Sequence, residues 1–254
     1  LWDNDGSEVK RYPKSYPRNT DDYFQSGITF NRAKEDGRRF GYHHPSSIFG
    51  DNGPVLFPGE KLWNALSYGN SRLFTYLMLA QTTERKWEIG LVSKIPWKTE
   101  LESIKNLGQL SQRAVGHLIS KRRYDFDSPY YNGPILLDVL GVSDQLQRYD
   151  HPHRELLAEL TLDEPDKTIA TSSPLEDAGT AAAKHLERVE QNLQTCADEI
   201  DNSVFDCFDI SEQERDTILQ EIALRTTQDP REQEEYTPSS ITEHSDEFTE
   251  QVKD

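Results

Sequence analysis

Between residues 23 and 58 the apolar positions come in short runs, 28–30, 48–49 and 55–57, cut by glycine, proline and an Asn-Gly pair. This pattern predicts strands joined by tight turns. Asn52-Gly53 is flanked by apolar residues and suits the positive φ angles of a hairpin turn, so a hairpin is expected there. From 60 to 81, Leu62, Trp63, Leu66, Leu73, Tyr76, Leu77 and Ala80 share one face, with Gly69-Asn70-Ser71 as a break and new cap. One kinked helix or two short ones follow from that spacing. Trp87, Ile89 and Leu91 alternate with Glu88 and Gly90 ahead of Pro96, the pattern of a strand ending at a proline. Leu101, Ile104, Leu107, Leu110, Ala114 and Leu118 then predict a helix over 99–123, with Lys105, Arg113, Lys121, Arg122 and Arg123 on or near its outer side.

The second half reads as helical. Leu186, Val189, Leu193, Cys196 and Ile200 step by three and four, a stripe too short for a coiled coil. Ser211 with Glu214 forms a capping box, and a last helix is expected to about Arg225. Residues 164–177 read as a linker rich in Pro, Thr, Ser and acid. Beyond 226 periodicity ends and acid dominates, which predicts a disordered tail. The fold class expected is α+β: a domain of mixed strands and helices, then an acidic helical extension and the tail.

Composition adds two constraints. At 34% hydrophobic residues and a mean hydropathy of −0.80, the chain is polar for a compact fold, in keeping with an unfolded tail. The net charge of −17 is uneven: residues 1–127 hold 19 basic against 15 acidic residues, whereas 128–254 hold 9 against 30. A mildly basic half can approach phosphates, and a strongly acidic one must face elsewhere. The acid excess also fits a halophile's solvation strategy, in which high salt weakens phosphate contacts. No apolar run is long enough to span a bilayer and no signal peptide is visible, so a cytoplasmic location without membrane partners is expected. The start at Leu1 without an initiator Met suggests a piece of a longer protein. Cys196 and Cys207 offer neither a disulfide framework nor zinc spacing.

Several stretches carry a resemblance when taken in order: Tyr23-Phe24, Gly27-Ile28-Thr29-Phe30, Arg38-Arg39-Phe40-Gly41-Tyr42-His43-His44-Pro45 and Ile48-Phe49-Gly50-Asp51-Asn52-Gly53-Pro54-Val55-Leu56-Phe57-Pro58. Asn70-Ser71-Arg72-Leu73-Phe74 and 87–97 follow, and Ile200-Asp201-Asn202-Ser203-Val204-Phe205-Asp206 with Phe208 and Ile210-Ser211-Glu212 closes the set. This succession resembles the target-recognition part of large adenine-specific DNA methyltransferases, above all the PglX-type protein of BREX phage-defence systems and related single-chain restriction-modification enzymes. Between a polar connector at 1–22, the linker at 164–177 and the tail at 227–254, all read from composition, the resemblance implies a target-recognition domain at 23–127 with a helical remainder at 128–163 and a helical extension at 178–226. It implies double-stranded DNA and an upstream methyltransferase domain as partners, with other phage-defence subunits as further ones.

Adenine methylation needs a glycine-rich S-adenosylmethionine turn and an Asn/Asp-Pro-Pro-aromatic loop that holds the flipped base. Neither occurs in the sequence, so no cofactor is expected in this chain; S-adenosylmethionine belongs to the parent enzyme. The DNA-contact residues expected are Arg32, Lys34, Arg38, Arg39, Tyr42, His43 and His44 in a polar stretch before the hairpin, since Arg pairs with guanine or clamps phosphate and loops commonly carry recognition. Lys121, Arg122 and Arg123 form a second phosphate-binding group, against the alternative that they complement a helix C-terminus. His43-His44 and His151-x-His153 lack cysteine neighbours or a zinc-helix motif, so no metal is expected. Asp51 with Glu84-Arg85-Lys86 makes only a weak nuclease pattern. Trp63, Trp87 and Trp97 are expected as core anchors. The rival functional class is a protein docking module, in which the helical stripe and acidic face bind other subunits; a poorly folding gene remnant is a third.

Overall fold

A computed structural model describes residues 4–32, 39–82, 86–142, 154–167 and 174–226. The expected tail, together with Lys34, Arg38, Glu84, Arg85, His151 and His153, lies outside the described residues. The fold is α+β, a small antiparallel sheet set among helices.

After the short helix α1 (Ser7–Arg11) the chain forms β1 (Gly27–Phe30), β2 (Phe40–His43) and β3 (Val55–Leu56), ordered β2-β1-β3 and antiparallel throughout. Ile28 and Phe30 point inward at 1% exposure, as the period of two requires. Gly27 is obligatory, because a Cβ there would lie 2.5 Å from Val55 Cγ1 and 2.7 Å from the Leu56 carbonyl. Two expectations change here. The polar stretch expected as a loop is in part strand β2, whereas Ile48 and Phe49 belong to no strand. Asn52-Gly53 does sit in a tight turn, with Gly53 N–H donating to Gly50 at 3.1 Å, but β3 pairs with β1 rather than with the segment before that turn.

The expected helical pair follows as α2 (Leu62–Gly69) and α3 (Arg72–Gln81), with Ser71 Oγ capping α3 by accepting from Phe74 N–H at 3.2 Å. The strand expected around Trp87 is instead a helical turn, α4 (Ile89–Val92). Of its alternating residues only Trp87 is buried, at 1%, while Ile89 is 47% exposed and the next buried positions are Val92 and Ile95. The apolar spacing that matters is therefore three to five, and the alternation is incidental. The helix expected over 99–123 divides into a 3₁₀ turn (Thr99–Glu102) and α5 (Leu107–Arg122), separated by Asn106 at φ 82.

The remaining helices are α6 (Ile135–Val139), α7 (Arg154–Glu159), the 34-residue α8 (Pro174–Cys207) and α9 (Glu212–Thr226). α8 starts inside the segment expected as linker. Its mate is α5, and the approach of the chain to α5 is so close at Gly116 that a Cβ would meet the Thr161 carbonyl at 2.4 Å. The capping box of α9 is present: Ser211 N–H donates to Glu214 at 2.8 Å. One core gathers Ile28, Phe30, Phe40, Phe74, Met78 and Trp87 with Ile200, Val204, Phe205, Ile218 and Ile222, so the sheet and the acidic helices share a single interior.

Candidate nucleic-acid interface

The basic residues before the turn at 50–53 divide by their surroundings. Arg32, just beyond β1, donates to the Asp51 carbonyl at 3.0 Å, pairs with the Asp51 carboxylate at 3.0 Å and binds Glu88. Arg39, at the start of β2, reaches the Arg32 carbonyl at 3.4 Å, and its guanidinium lies 4.2 Å from the centroid of the Trp87 ring. Trp87 N–H donates to that same Arg32 carbonyl at 2.8 Å. Both arginines are buried, and a buried guanidinium needs such partners to remain charged. They brace the two ends of the β1–β2 connection, and neither is positioned to read a base.

His43 and His44 are buried as well. Burial pushes the His43 imidazole below its usual range against the opposing hydrogen bond with the Ser47 backbone, and its Nε2 has no hydrogen-bond partner, both of which favour the neutral ring. His44 Nδ1 accepts from Ser46 N–H at 3.1 Å. Tyr42 stacks on Trp63, centroids 5.2 Å apart and planes 3° from parallel. Of the seven residues expected at this DNA contact, Arg32, Arg39, His43 and His44 therefore build the hairpin, Tyr42 lies against α2, and Lys34 and Arg38 fall in the undescribed connection between β1 and β2.

The second expected group divides too. Arg123, 8% exposed, donates to Glu164 at 2.9 and 2.8 Å, to Asp138 at 3.0 Å and to the Tyr124 hydroxyl at 2.8 Å; that hydroxyl in turn donates to Asp138 at 2.9 Å. Burial alone would lower the Arg123 pKa, but the bonds to Glu164 and the surrounding charge raise it. Burial, with the bond to Asp138, raises the Tyr124 hydroxyl. This guanidinium pins the end of α5 to the segment after α7, and the phosphate contact expected of Arg123 does not fit that burial. Lys121 bridges to Glu190 of α8 at 2.5 Å, and Arg122 lies 3.7 Å from Asp125.

A cavity of about 660 Å³ opens where β2 meets α2, α5 and α8. Its walls are mostly apolar, from Leu66, Val115, Ile119, Leu193 and Ile200, with Asn70, Arg122, Tyr130 and Glu190 as polar contributors. β2 is an edge strand. Asn31 N–H donates to the Arg39 carbonyl, so by antiparallel alternation the backbone groups of Phe40 and Tyr42 face away from β1. Asn70 satisfies Phe40 on that side, accepting from its N–H at 3.1 Å and donating to its carbonyl at 3.0 Å. An amide side chain thereby blunts half of an exposed strand edge.

No family model, curated protein or solved structure matches this chain. Among the described residues no group of three His, Cys, Asp or Glu could hold a metal, and no helix is long and apolar enough to cross a membrane. Asp51, the acid of the weak nuclease pattern, is paired with Arg32. Both cysteines are free thiols whose pKa burial raises, which leaves them poor nucleophiles. Sequence reasoning missed Asn70 as the strand-edge clamp and Asp138 and Glu164 as the partners of Arg123. Nothing local in the sequence marks them, because each acts across a gap of 15 to 41 residues.

Proposed function

We propose that this chain is the DNA-binding, target-recognition portion of a site-specific adenine-N6 DNA methyltransferase of the PglX type, with catalysis and S-adenosylmethionine binding supplied by a domain upstream. The observation that carries the reading is the joining of its two separated stretches of resemblance. Side chains from 23–97 and from 200–212 meet in one core, where Tyr68 stacks on Phe208 at 5.6 Å and Asp201 accepts from Arg72 N–H at 2.7 Å. The β1–β2 hairpin belongs to that core, and its ends are braced by Arg32 and Arg39. In this reading Lys34 and Arg38, between those ends, contact DNA, and the braced hairpin gives them a rigid base.

The test is anisotropy of a labelled duplex titrated with the chain as salt rises. Expected is binding that loses several decades of affinity between low and moderate salt, with the Lys34→Glu/Arg38→Glu variant at least ten-fold weaker. Absence of binding at low salt overturns the reading. It would favour the docking module, for which the specific support is the apolar cavity beside the half-covered edge of β2.

A further inference from the structure

Residues 10–19 read Lys-Arg-Tyr-Pro-Lys-Ser-Tyr-Pro-Arg-Asn, in which Tyr-Pro-basic-polar occurs twice in succession. Between Glu8 and Asp21 there are four basic residues and no acid, within a chain of net charge −17. In an acidic protein, such a segment is where a polyanion can approach closely.

Proline sets the local geometry. Tyr12 follows α1 in an extended conformation (φ −70, ψ 123), as a residue before proline must. Ser15 N–H donates to the Tyr12 carbonyl at 2.9 Å, closing a turn with Pro13 at its second position. Pro17 imposes the same restriction on Tyr16. The outcome is two rings that no core takes up: Tyr12 is 60% exposed and Tyr16 79%. Among the described residues neither ring meets another ring, and Arg11, Lys14 and Arg18, all exposed, form no ion pair. Lys10, by contrast, pairs with Asp5 at 2.8 Å. This segment keeps its cations and rings available, whereas Arg32, Arg39 and Arg123 are taken up by the fold.

We infer that residues 11–18 form a strap for single-stranded DNA, with Tyr12 and Tyr16 stacking on bases and Arg11, Lys14 and Arg18 on phosphates. A duplex offers base edges and phosphates but covers its base faces; an exposed phenol ring gains most from a base whose face is open. Such bases occur where a strand is unpaired, as around a nucleotide extruded for chemistry. The inference rests on the proposed function only in taking DNA as the partner.

The experiment titrates the full chain against a fluorescein-labelled twelve-nucleotide dT strand and, separately, against a duplex. Tyr12→Ala/Tyr16→Ala is expected to weaken dT binding by about ten-fold or more, while Tyr12→Phe/Tyr16→Phe retains it and duplex binding changes less than about two-fold. Arg11→Gln/Lys14→Gln/Arg18→Gln should lower the slope of log affinity against log salt by about 2. Unchanged dT binding by the alanine variant, or equal loss on strand and duplex, overturns the strap. Duplex binding that persists in that case leaves the recognition reading standing. A strand-specific loss without any duplex binding supports the strap and counts against recognition.

Discussion

Among the described residues, the buried guanidinium groups of Arg32, Arg39 and Arg123 each enter the interior with partners around them. Arg123 has two carboxylates and a hydroxyl, and it stays charged. His43 and His185 take the other course, since burial pushes both imidazoles below their usual range, aided at His185 by the charges of Arg188 and Arg123. Each also leaves Nε2 without a partner. A base whose folded pKa lies below its unfolded value of about 6.5 binds fewer protons folded than unfolded. Its stabilising contribution is complete above that pH and is lost as pH falls toward the folded pKa. The urea midpoint is therefore expected to be flat between about pH 7 and 8 and to decline from about 6.5 downward. In His43→Phe/His185→Phe, which keeps an aromatic ring but cannot ionise, the decline to pH 5.5 should shrink. An equally steep decline in that variant would locate the effect in other groups.

At the scale of elements, local chemistry and long-range pairing set different features. Ser71 is fully buried between α2 and α3, where its hydroxyl donates to the Tyr68 carbonyl at 2.7 Å and caps Phe74 N–H. Ser71→Ala removes both bonds and is expected to cost about 1 to 2 kcal/mol, read as a lower urea midpoint; no change would mean that water or a shifted backbone replaces the cap. This cap and the box at Ser211 were legible in the sequence because a cap involves residues three apart. The stripe of α8 was legible for a similar reason, since helical periodicity repeats within one segment. β2 and its flank were not, because Arg39 looks like a surface residue until Trp87 lies against it, and Arg32 likewise until Asp51 and Glu88, far along the chain, pair with it. The hairpin therefore hid four of the ten expected DNA contacts inside itself, and Arg123 was hidden likewise by Glu164 and Asp138.

At the scale of the whole molecule, the two charge halves are neither separate surfaces nor separate cores. Acids of the second half cross to bases of the first: Glu190 to Lys121, Glu199 to Arg113, Asp201 to Arg72 and Asp209 to Lys98. The exposed pairs of Lys121 and Arg113 contribute little each, but beneath them lie apolar contacts that no single half can complete. Ile200, Val204 and Phe205 of α8 and Ile218 and Ile222 of α9 pack into the same interior as Phe30, Phe74 and Trp87. A chain cut after residue 163 would expose α3 and the neighbouring faces of α2 and α5 where those five side chains had been. The full chain is thus expected to melt in one cooperative step by circular dichroism. Residues 1–163 alone should show no cooperative melt, and adding 164–254 as a separate chain should restore one. A fragment 1–163 that melts cooperatively by itself would mean that the first half holds a sufficient core, and that α8 and α9 are an appendage after all.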